Sequence, residues 1–322
     1  MVMTMRELAK LCNVSISTVS KAFLDADDVS SNTKKHIFEI AKENGCYGKF
    51  YKGKYHKKII GIICPELEGL YYTGFITELK RLMEKSDCIC LVSSYDFSDT
   101  KQAELIEYYA SYINIDGLIV LGSIKYPLKK GYNIPIVSML SSDTNYTDTV
   151  GADLNSAIFE AVDTLISYGH KKIAFIGENL TKGKGEIFTK AMKAHNFNDY
   201  EIITSGERFE KAGIDGVNQL FTEDTDFTGI ICAYDNIAFG AIKQLKELGL
   251  KVPEDVSVIG IDNISTAKYS ETTLTTIDTK LEEICSIAWD LMLKKLENKY
   301  YSSRQNITIK SKLIIRESIR KL

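Results

Sequence analysis

Apolar positions recur with two different periods along this chain, and the period changes near residue 58. Before that point the spacing is helical, with Leu8, Ala9 and Leu11 on one stripe. After it, short apolar runs such as KIIGIIC alternate with amphipathic stretches. The change predicts a small helical segment followed by a larger α/β body.

The first 24 residues carry the start and stop signals of two short helices. Thr4 and Glu7 have the spacing of a capping box, so a helix begins near Met5. Asn13 tolerates the left-handed conformation that ends a helix, and Ser15 is placed to cap the next one. Two helices joined by such a turn can place one helix in the DNA major groove.

The second helix and the start of a third, which runs from Ser30 or Ser31 to Gly45, carry short hydroxyl side chains and one base. Such side chains can bond phosphates and base edges without blocking close approach. The alternative is a helical cap that binds no DNA; the specific order of residues favours DNA binding. The candidate DNA-binding residues are Thr4, Ser15, Ile16, Ser17, Thr18, Ser20, Lys21, Ser30 and Thr33.

Beyond residue 58, continuous apolar runs predict strands of parallel sheets that are covered on both faces. The predicted strands are 58–64, 88–93, 117–121, 134–140, 171–176, 200–204, 229–233 and 256–261, with helices that include 74–85, 101–112, 155–168, 187–195 and 237–248. A break near 153–156 predicts two lobes.

Composition supports this organisation. The 322 residues are too many for one ordinary domain, and 44% are hydrophobic. No apolar run approaches 18 residues and no signal segment precedes the first helix, so we expect a soluble cytoplasmic protein without a membrane partner. Seven scattered cysteines indicate reduced thiols, and we expect no metal site. Residues 1–58 hold 11 Lys or Arg against 6 Asp or Glu, which marks the nucleic-acid-binding end.

Polar residues that end the predicted strands are the candidate ligand contacts, because ligands of open α/β sheets bind beyond the carboxyl ends of strands. Asp262, Asp235 and Ser123 end three apolar runs, and Tyr71 and Tyr72 follow the first strand. Two alternatives stand beside this interpretation: Asp235 caps the following helix, and Tyr71 packs in the pocket wall.

Several ordered sequence runs resemble the LacI/GalR family of bacterial transcriptional repressors. The matching runs are VSISTVSK (14–21), GHKKIAFIG (169–177), VPEDVSVIGID (252–262), LTTI (274–277) and LIIRES (313–318). The resemblance covers essentially the whole chain. It implies an α/β fold: a small all-α helix-turn-helix domain, then a two-lobed doubly wound parallel domain of the type I periplasmic-binding-protein fold.

The resemblance also implies domain boundaries. The expected domains are 1–46 for DNA binding, 47–57 for a basic hinge linker, and 58–322 for effector binding and dimerisation, with lobe 1 at about 58–153 plus 279–309 and lobe 2 at about 154–278 plus 310–322. The linker, GCYGKFYKGKYHKK over 45–58, departs from the family's leucine-containing hinge helix. An aromatic residue such as Tyr51 wedges into the minor groove instead, or no hinge helix forms.

The family positions that bind effector are matched in part. Asp262 resembles the cleft aspartate, Tyr72 and Tyr234 match pocket positions, and Lys184 replaces an arginine on a predicted loop over 182–186. These residues suit a sugar or a sugar derivative, including a sugar phosphate. The candidate effector-binding residues are Tyr71, Tyr72, Ser123, Lys184, Tyr234, Asp235 and Asp262.

Enzymes are the competing class of protein, but the sequence lacks the motifs of nucleotide binding, hydrolase nucleophiles and paired metal ligands. We therefore expect no catalytic residues and no cofactor. The hypothesis is a repressor that binds a palindromic operator as a homodimer and responds to a small-molecule effector. A dimer is the expected state because the sequence after Ser318 contains no heptad repeat that could join dimers into a tetramer. The alternative is a small-molecule-binding protein without sequence-specific DNA recognition.

Overall fold

The computed structural model describes residues 3–50, 57–113, 115–128, 132, 134–140, 146–222, 226–297 and 303–322. The chain divides into two compact units, Met1–Lys58 and Ile59–Leu322. None of the helices in these ranges has the length and apolar character that a membrane crossing requires.

The first unit is a helical head whose helices begin at the predicted caps. Its helices are α1 (Met5–Leu11), α2 (Ile16–Phe23), α3 (Ser31–Glu43) and α4 (Tyr47–Phe50). The capping box of Thr4 and Glu7 is present, and Ser15 Oγ accepts a hydrogen bond from the Thr18 backbone N–H at 3.0 Å. These short-range bonds orient α1 and α2 around one small core.

The core of the head extends past the boundary that the sequence predicts. Phe23 is buried, and its ring centroid lies 5.8 Å from that of Phe50 and 5.9 Å from that of Tyr47. Two aromatic side chains of the predicted linker, Tyr47 and Phe50, therefore pack in the head. The rest of the predicted linker, including Tyr51, lies outside the described residues between 50 and 57.

The second unit contains two six-stranded sheets, and each belongs to one lobe. Lobe 1 holds β1 (Lys58–Cys64), α5 (Leu70–Lys85), β2 (Cys88–Ser94), α6 (Asp99–Ser111), β3 (Gly117–Leu121), β4 (Ile136–Met139) and β5 (Asp148–Asp153), with α11 (Leu281–Leu296) and β11 (Asn306–Lys310) added from later in the chain. The strand order is β11-β5-β4-β3-β1-β2. Its apolar core lies between this sheet and the helices α5 and α11.

Lobe 2 has the same layered arrangement and is formed mainly by the middle of the chain. It holds α7 (Leu154–Ser167), β6 (Ile173–Glu178), α8 (Lys182–Ala194), β7 (Tyr200–Ser205), α9 (Phe209–Leu220), β8 (Gly229–Cys232), α10 (Asp235–Glu247), β9 (Ser257–Ile261), β10 (Thr275–Asp278) and β12 (Lys312–Ile314). The strand order is β12-β10-β9-β8-β6-β7; the β10–β12 pair is antiparallel, and the four other neighbouring pairs are parallel.

The chain passes between the lobes at three places: after Asp153, after Asp278 and after Lys310. The predicted fold class of a helical head with a two-lobed parallel α/β domain is confirmed. Strands β5, β10, β11 and β12 were not among the predicted strands. The predicted loop over 182–186 is wrong, since these residues form the first turn of α8.

Candidate functional site

The front of α2 presents the predicted DNA-contacting residues to solvent. Ser15, Ile16 and Ser17 are exposed, and 43% of the Ile16 surface is accessible although the residue is apolar. Opposite them, Val19 and Phe23 are buried in the head. The helix therefore has one face that anchors it and one that can approach a base edge or a thymine methyl group.

Several of the other predicted DNA contacts already have partners within the head. The hydroxyls of Ser15 and Thr18 lie 2.8 Å apart, and those of Ser30 and Thr33 have the same separation. Thr4 Oγ1 donates to Glu7 at 2.8 Å, and Ser20 is half-buried. Lys21 forms an ion pair with Asp28, and both side chains are about half exposed. To contact a DNA phosphate, these groups would therefore have to give up the bonds that they form within the head.

A cavity of about 840 Å³ lies within the second unit, between the two lobes. Its walls come from α5, from the turn after β9, and from the chain that passes between lobes after β10. The lining includes Tyr71, Thr73, Asp262, Asn263, Asp278, Lys280 and Arg316. Of the predicted effector-binding residues, Tyr71 and Asp262 line this cavity.

Asp262 is the least satisfied polar group of the cavity wall. Its side chain is 6% exposed, and its Oδ1 atom has no hydrogen-bond partner among the described residues. Burial raises the pKa of this carboxyl to about 6, against the opposing attraction of Lys184. Asp262 also has φ +110°, a conformation that non-glycine residues rarely adopt and that is typical of functional turns.

Lys184 lies in the first turn of α8 and reaches the same turn from the other side. Its Nζ atom donates to the carbonyl of Ala233 at 2.7 Å and lies 3.8 Å from Asp262 Oδ1. The ammonium group thus compensates part of the charge of Asp262 without bonding it. Lys184 is not among the residues that line the cavity.

Asp235 supports the Asp262 turn from inside lobe 2. Its carboxylate is fully buried, accepts a hydrogen bond from the Ile264 backbone N–H at 2.8 Å, and also accepts one from Thr276. Burial, together with the nearby Asp262, raises the pKa of Asp235 well above its usual range. The helix α10 begins at Asp235 itself and its N-cap is Tyr234, so Asp235 does not cap this helix. Asp235 is also not among the residues that line the cavity.

A Cβ atom at Gly260 would lie 2.2 Å from Oδ1 of Asp235. Glycine at this position therefore lets the strand β9 approach the carboxylate.

The remaining predicted residues lie outside the cavity wall. Ser123 follows β3 and is half-buried. The Tyr72 ring packs edge-on against Tyr71 with centroids 5.3 Å apart. Tyr234 Oη donates to Glu178 at 2.9 Å and accepts from the Phe209 backbone N–H at 3.0 Å.

A cluster that the sequence did not indicate crosses between the lobes next to Tyr72 and Tyr234. Glu66 of lobe 1 pairs with Arg208 of lobe 2 at 2.7 Å, and Arg208 Nε lies 3.4 Å from Glu178. Glu178 ends β6 and Glu66 follows β1, so the strand-end rule that selected Asp262 could have found both carboxylates.

Arg316 and Asn263 are further cavity residues that the sequence did not indicate. Arg316 Nη2 donates to Asn263 Oδ1 at 2.8 Å, which fixes the turn after Asp262. Within the described ranges, no three His, Cys, Asp or Glu side chains are grouped as a metal ion would need. The arrangement is suited to binding an organic molecule that donates hydrogen bonds.

Each of the two units contains a segment that matches a known protein family. Residues 4–47 match the family model of bacterial regulatory proteins, lacI family, and residues 162–319 match the periplasmic binding protein-like domain. The HTH-type transcriptional repressor PurR of Yersinia enterocolitica is 29% identical, over 98% of this chain and 96% of that protein.

Solved structures share the fold. A LacI family transcriptional regulator from Enterococcus faecium with bound ribose has a TM-score of 0.72 at 22% identity, over 82% of this chain and 100% of that chain. The lac repressor dimer bound to operator and the anti-inducer ONPF also has a TM-score of 0.72, at 20% identity and 99% coverage of both chains.

The head, the two-lobed body and these similarities define a DNA-binding transcriptional repressor with an effector-binding domain. Within that class, the chain belongs to the lacI family of bacterial regulatory proteins.

Proposed function

We propose that this protein represses transcription as a homodimer that binds a palindromic operator and changes its DNA affinity when a small molecule binds between the lobes. The observation that carries the proposal is the buried Oδ1 of Asp262, in the wall of the interlobe cavity, for which the described part of the chain supplies no hydrogen-bond donor. A buried acceptor without a donor is costly, and a ligand that donates a hydrogen bond removes that cost.

The proposed effector is a sugar or a sugar derivative. Vicinal hydroxyls can donate to the Asp262 carboxylate, and the apolar face of a sugar ring can lie against Tyr71. The Enterococcus faecium relative was solved with ribose, which supports the same class of ligand for this cavity. A sugar phosphate suits the site less well, because Lys280 is already paired with Asp278 and Lys184 is bonded to Ala233.

The proposed DNA contacts divide into two groups. Ile16 and Ser17, exposed at the front of α2, contact base edges. Thr18, Lys21, Ser30 and Thr33 contact phosphates and set the register of the head. A palindromic operator follows from a two-fold symmetric dimer. The similar lac repressor was solved as a dimer bound to operator, which supports a dimer here. Such a regulator acts in the cytoplasm, binds and does not catalyse, and needs no cofactor.

The test is selection of a randomised duplex pool by the full-length protein at two salt concentrations. The selection is repeated in the presence of ribose, cellobiose, amino sugars, sugar phosphates and nucleobases. Sedimentation of the protein measures its oligomeric state. We expect one enriched palindrome, a dimer, and one compound class that changes the affinity. Salt-sensitive binding with no enriched sequence would overturn the proposal in favour of a small-molecule-binding protein without operator recognition.

A further inference from the structure

Arg208 lies in the cleft between lobes with partners on both sides of it. Its Nη1 atom donates to Glu66 Oε2 of lobe 1 at 2.7 Å, while its Nε faces Glu178 of lobe 2 at 3.4 Å. The two carboxylate side chains are 12% and 4% exposed. Charge-assisted bonds of this kind, partly shielded from water, are stronger than surface ion pairs.

Aromatic rings from both lobes complete the surroundings of the guanidinium group. Its Cζ atom lies 5.1 Å from the ring centroid of Phe97 in lobe 1 and 4.6 Å from that of Phe209 in lobe 2. Contacts at these distances are cation–π interactions. Two carboxylates and two aromatic rings therefore form a cage for a planar cation, and each lobe supplies one of each.

The backbone on both sides of the cage is held in an uncommon conformation. Phe97 has φ +57° and Phe209 has φ +54°, values that bulky side chains rarely adopt. Phe209 is fixed there by the bond from its N–H to Tyr234 Oη, and Tyr234 in turn donates to Glu178. The residues that flank Arg208 are thus positioned by a connected network within lobe 2.

The lobes come close together beside this cage. A Cβ atom at Gly69 of lobe 1 would lie 3.2 Å from the Phe209 ring of lobe 2 and 2.9 Å from Glu66. Separating the lobes would therefore break the Glu66–Arg208 bond and expose the guanidinium group to water.

We propose that Arg208 is an internal clasp: its guanidinium group occupies a cation cage shared by the two lobes and holds the cleft closed when no effector is bound. The lobe 2 groups Glu178 and Phe209 position the guanidinium, and the lobe 1 groups Glu66 and Phe97 receive it. An effector then binds against a closure free energy that this side chain sets. This regulatory consequence rests on the proposed effector site, whereas the closure itself does not.

The test measures closure in the full-length protein without any effector. Two dyes, one on each lobe, report the interlobe distance by energy transfer in wild type, Arg208→Ala, Arg208→Lys and Glu66→Gln. Arg81→Ala is the matched control, because Arg81 pairs with Glu78 inside the single helix α5. We expect Arg208→Ala and Glu66→Gln to shift the closed-to-open ratio roughly tenfold or more toward open, and Arg81→Ala to leave it unchanged.

Chemical rescue adds a second readout that a general loss of stability would not produce. Methylguanidinium at low millimolar concentration is added to Arg208→Ala, with equal ionic strength of tetramethylammonium as the comparison. We expect methylguanidinium alone to restore the closed distance and raise Tm, because the cage fits a planar donor. An unchanged distance in Arg208→Ala, or equal effects of the two cations, would overturn the proposal while leaving the proposed regulator function untouched.

Discussion

Lys184 Nζ and Asp262 Oδ1 lie 3.8 Å apart, close enough to attract but too far to share a hydrogen bond. The lysine bonds the carbonyl of Ala233 instead. The carboxylate is therefore buried, partly compensated and short of a donor. This incomplete pairing is what a binding site needs and what folding alone would disfavour.

The first prediction is that Asp262→Asn stabilises the protein and removes its effector response. The pKa of Asp262 in the folded protein, about 6, lies above the ordinary aspartate value of about 3.9, so ionisation of this group destabilises the fold by up to about 3 kcal/mol near neutral pH. An amide removes the charge, and we expect a gain of roughly 1–3 kcal/mol in thermal or urea unfolding. Asp226→Asn is the control, since Lys172 lowers the pKa of that exposed carboxyl; a destabilised Asp262→Asn would contradict the prediction.

The second prediction concerns pH. Protonation of Asp262 below about pH 6 replaces a charged acceptor with a weaker neutral one, so the affinity for a hydroxyl-bearing effector falls as pH decreases, by at most tenfold per pH unit. The contribution of Asp262 to the free energy of unfolding changes in the opposite direction: it is greatest at low pH and declines as pH rises from about 4 to 6. Calorimetric titration of effector between pH 5 and 8 measures the first effect. The same slope in Asp262→Asn would exclude this carboxyl as its origin.

The third prediction is that Asp28 competes with DNA phosphate for Lys21. Because the two side chains form an exposed ion pair, Asp28→Asn should tighten operator binding several-fold at low salt, whereas Lys21→Ala should weaken it and reduce the salt slope by about one. Glu271→Gln, in an exposed pair with Lys246 of lobe 2, controls for the change in net charge. If Asp28→Asn and Glu271→Gln changed the operator affinity equally, Asp28 would not compete specifically with phosphate for Lys21.

The fourth prediction is that the front of α2 sets the operator sequence. Replacing Ile16 and Ser17 together should change or relax the preferred bases, because these exposed side chains extend from the anchored helix. Selection from a randomised pool with the double variant measures the preference. An unchanged consensus sequence would mean that the proposed register of α2 on DNA is wrong.

The fifth prediction is that Phe50 belongs to the DNA-binding head. Phe50 is 6% exposed and packs on Phe23, so Phe50→Ala should cost the head about 3–5 kcal/mol and abolish operator binding. The thermal transition of the second unit should not move. Tyr112→Ala is the matched control, because that aromatic side chain is 75% exposed. If Phe50→Ala retained DNA affinity, residues after 46 would act as linker after all.

Local features were predictable where near neighbours determine them. The capping box at Thr4 and the cap at Ser15 join residues three positions apart, so their spacing in sequence was sufficient. Continuous apolar runs likewise located most central strands. The short edge strands β11 and β12 lack such runs, because one face of each remains exposed.

Other features depend on contacts that the local pattern does not encode. Two glycines suggested a loop at 182–186, yet Gly185 is buried against Phe175 and the segment is helical. The aromatic and lysine-rich composition after residue 46 suggested a linker, yet Phe50 packs on Phe23 in the helical head. Tertiary packing decided both cases against local propensity.

The sequence alone determined the helical head, the succession of strands and helices, and the strand ends at which ligand contacts lie, because periodicity and capping act over a few residues. Only the tertiary structure decided which of those strand-end groups face the cavity: Asp262 lines it, while Asp235, at the end of the neighbouring strand, is buried behind it. Only the tertiary structure joined Glu66 to Arg208, 142 residues later, across the cleft. Such pairings depend on the closure of two lobes, which no local pattern records.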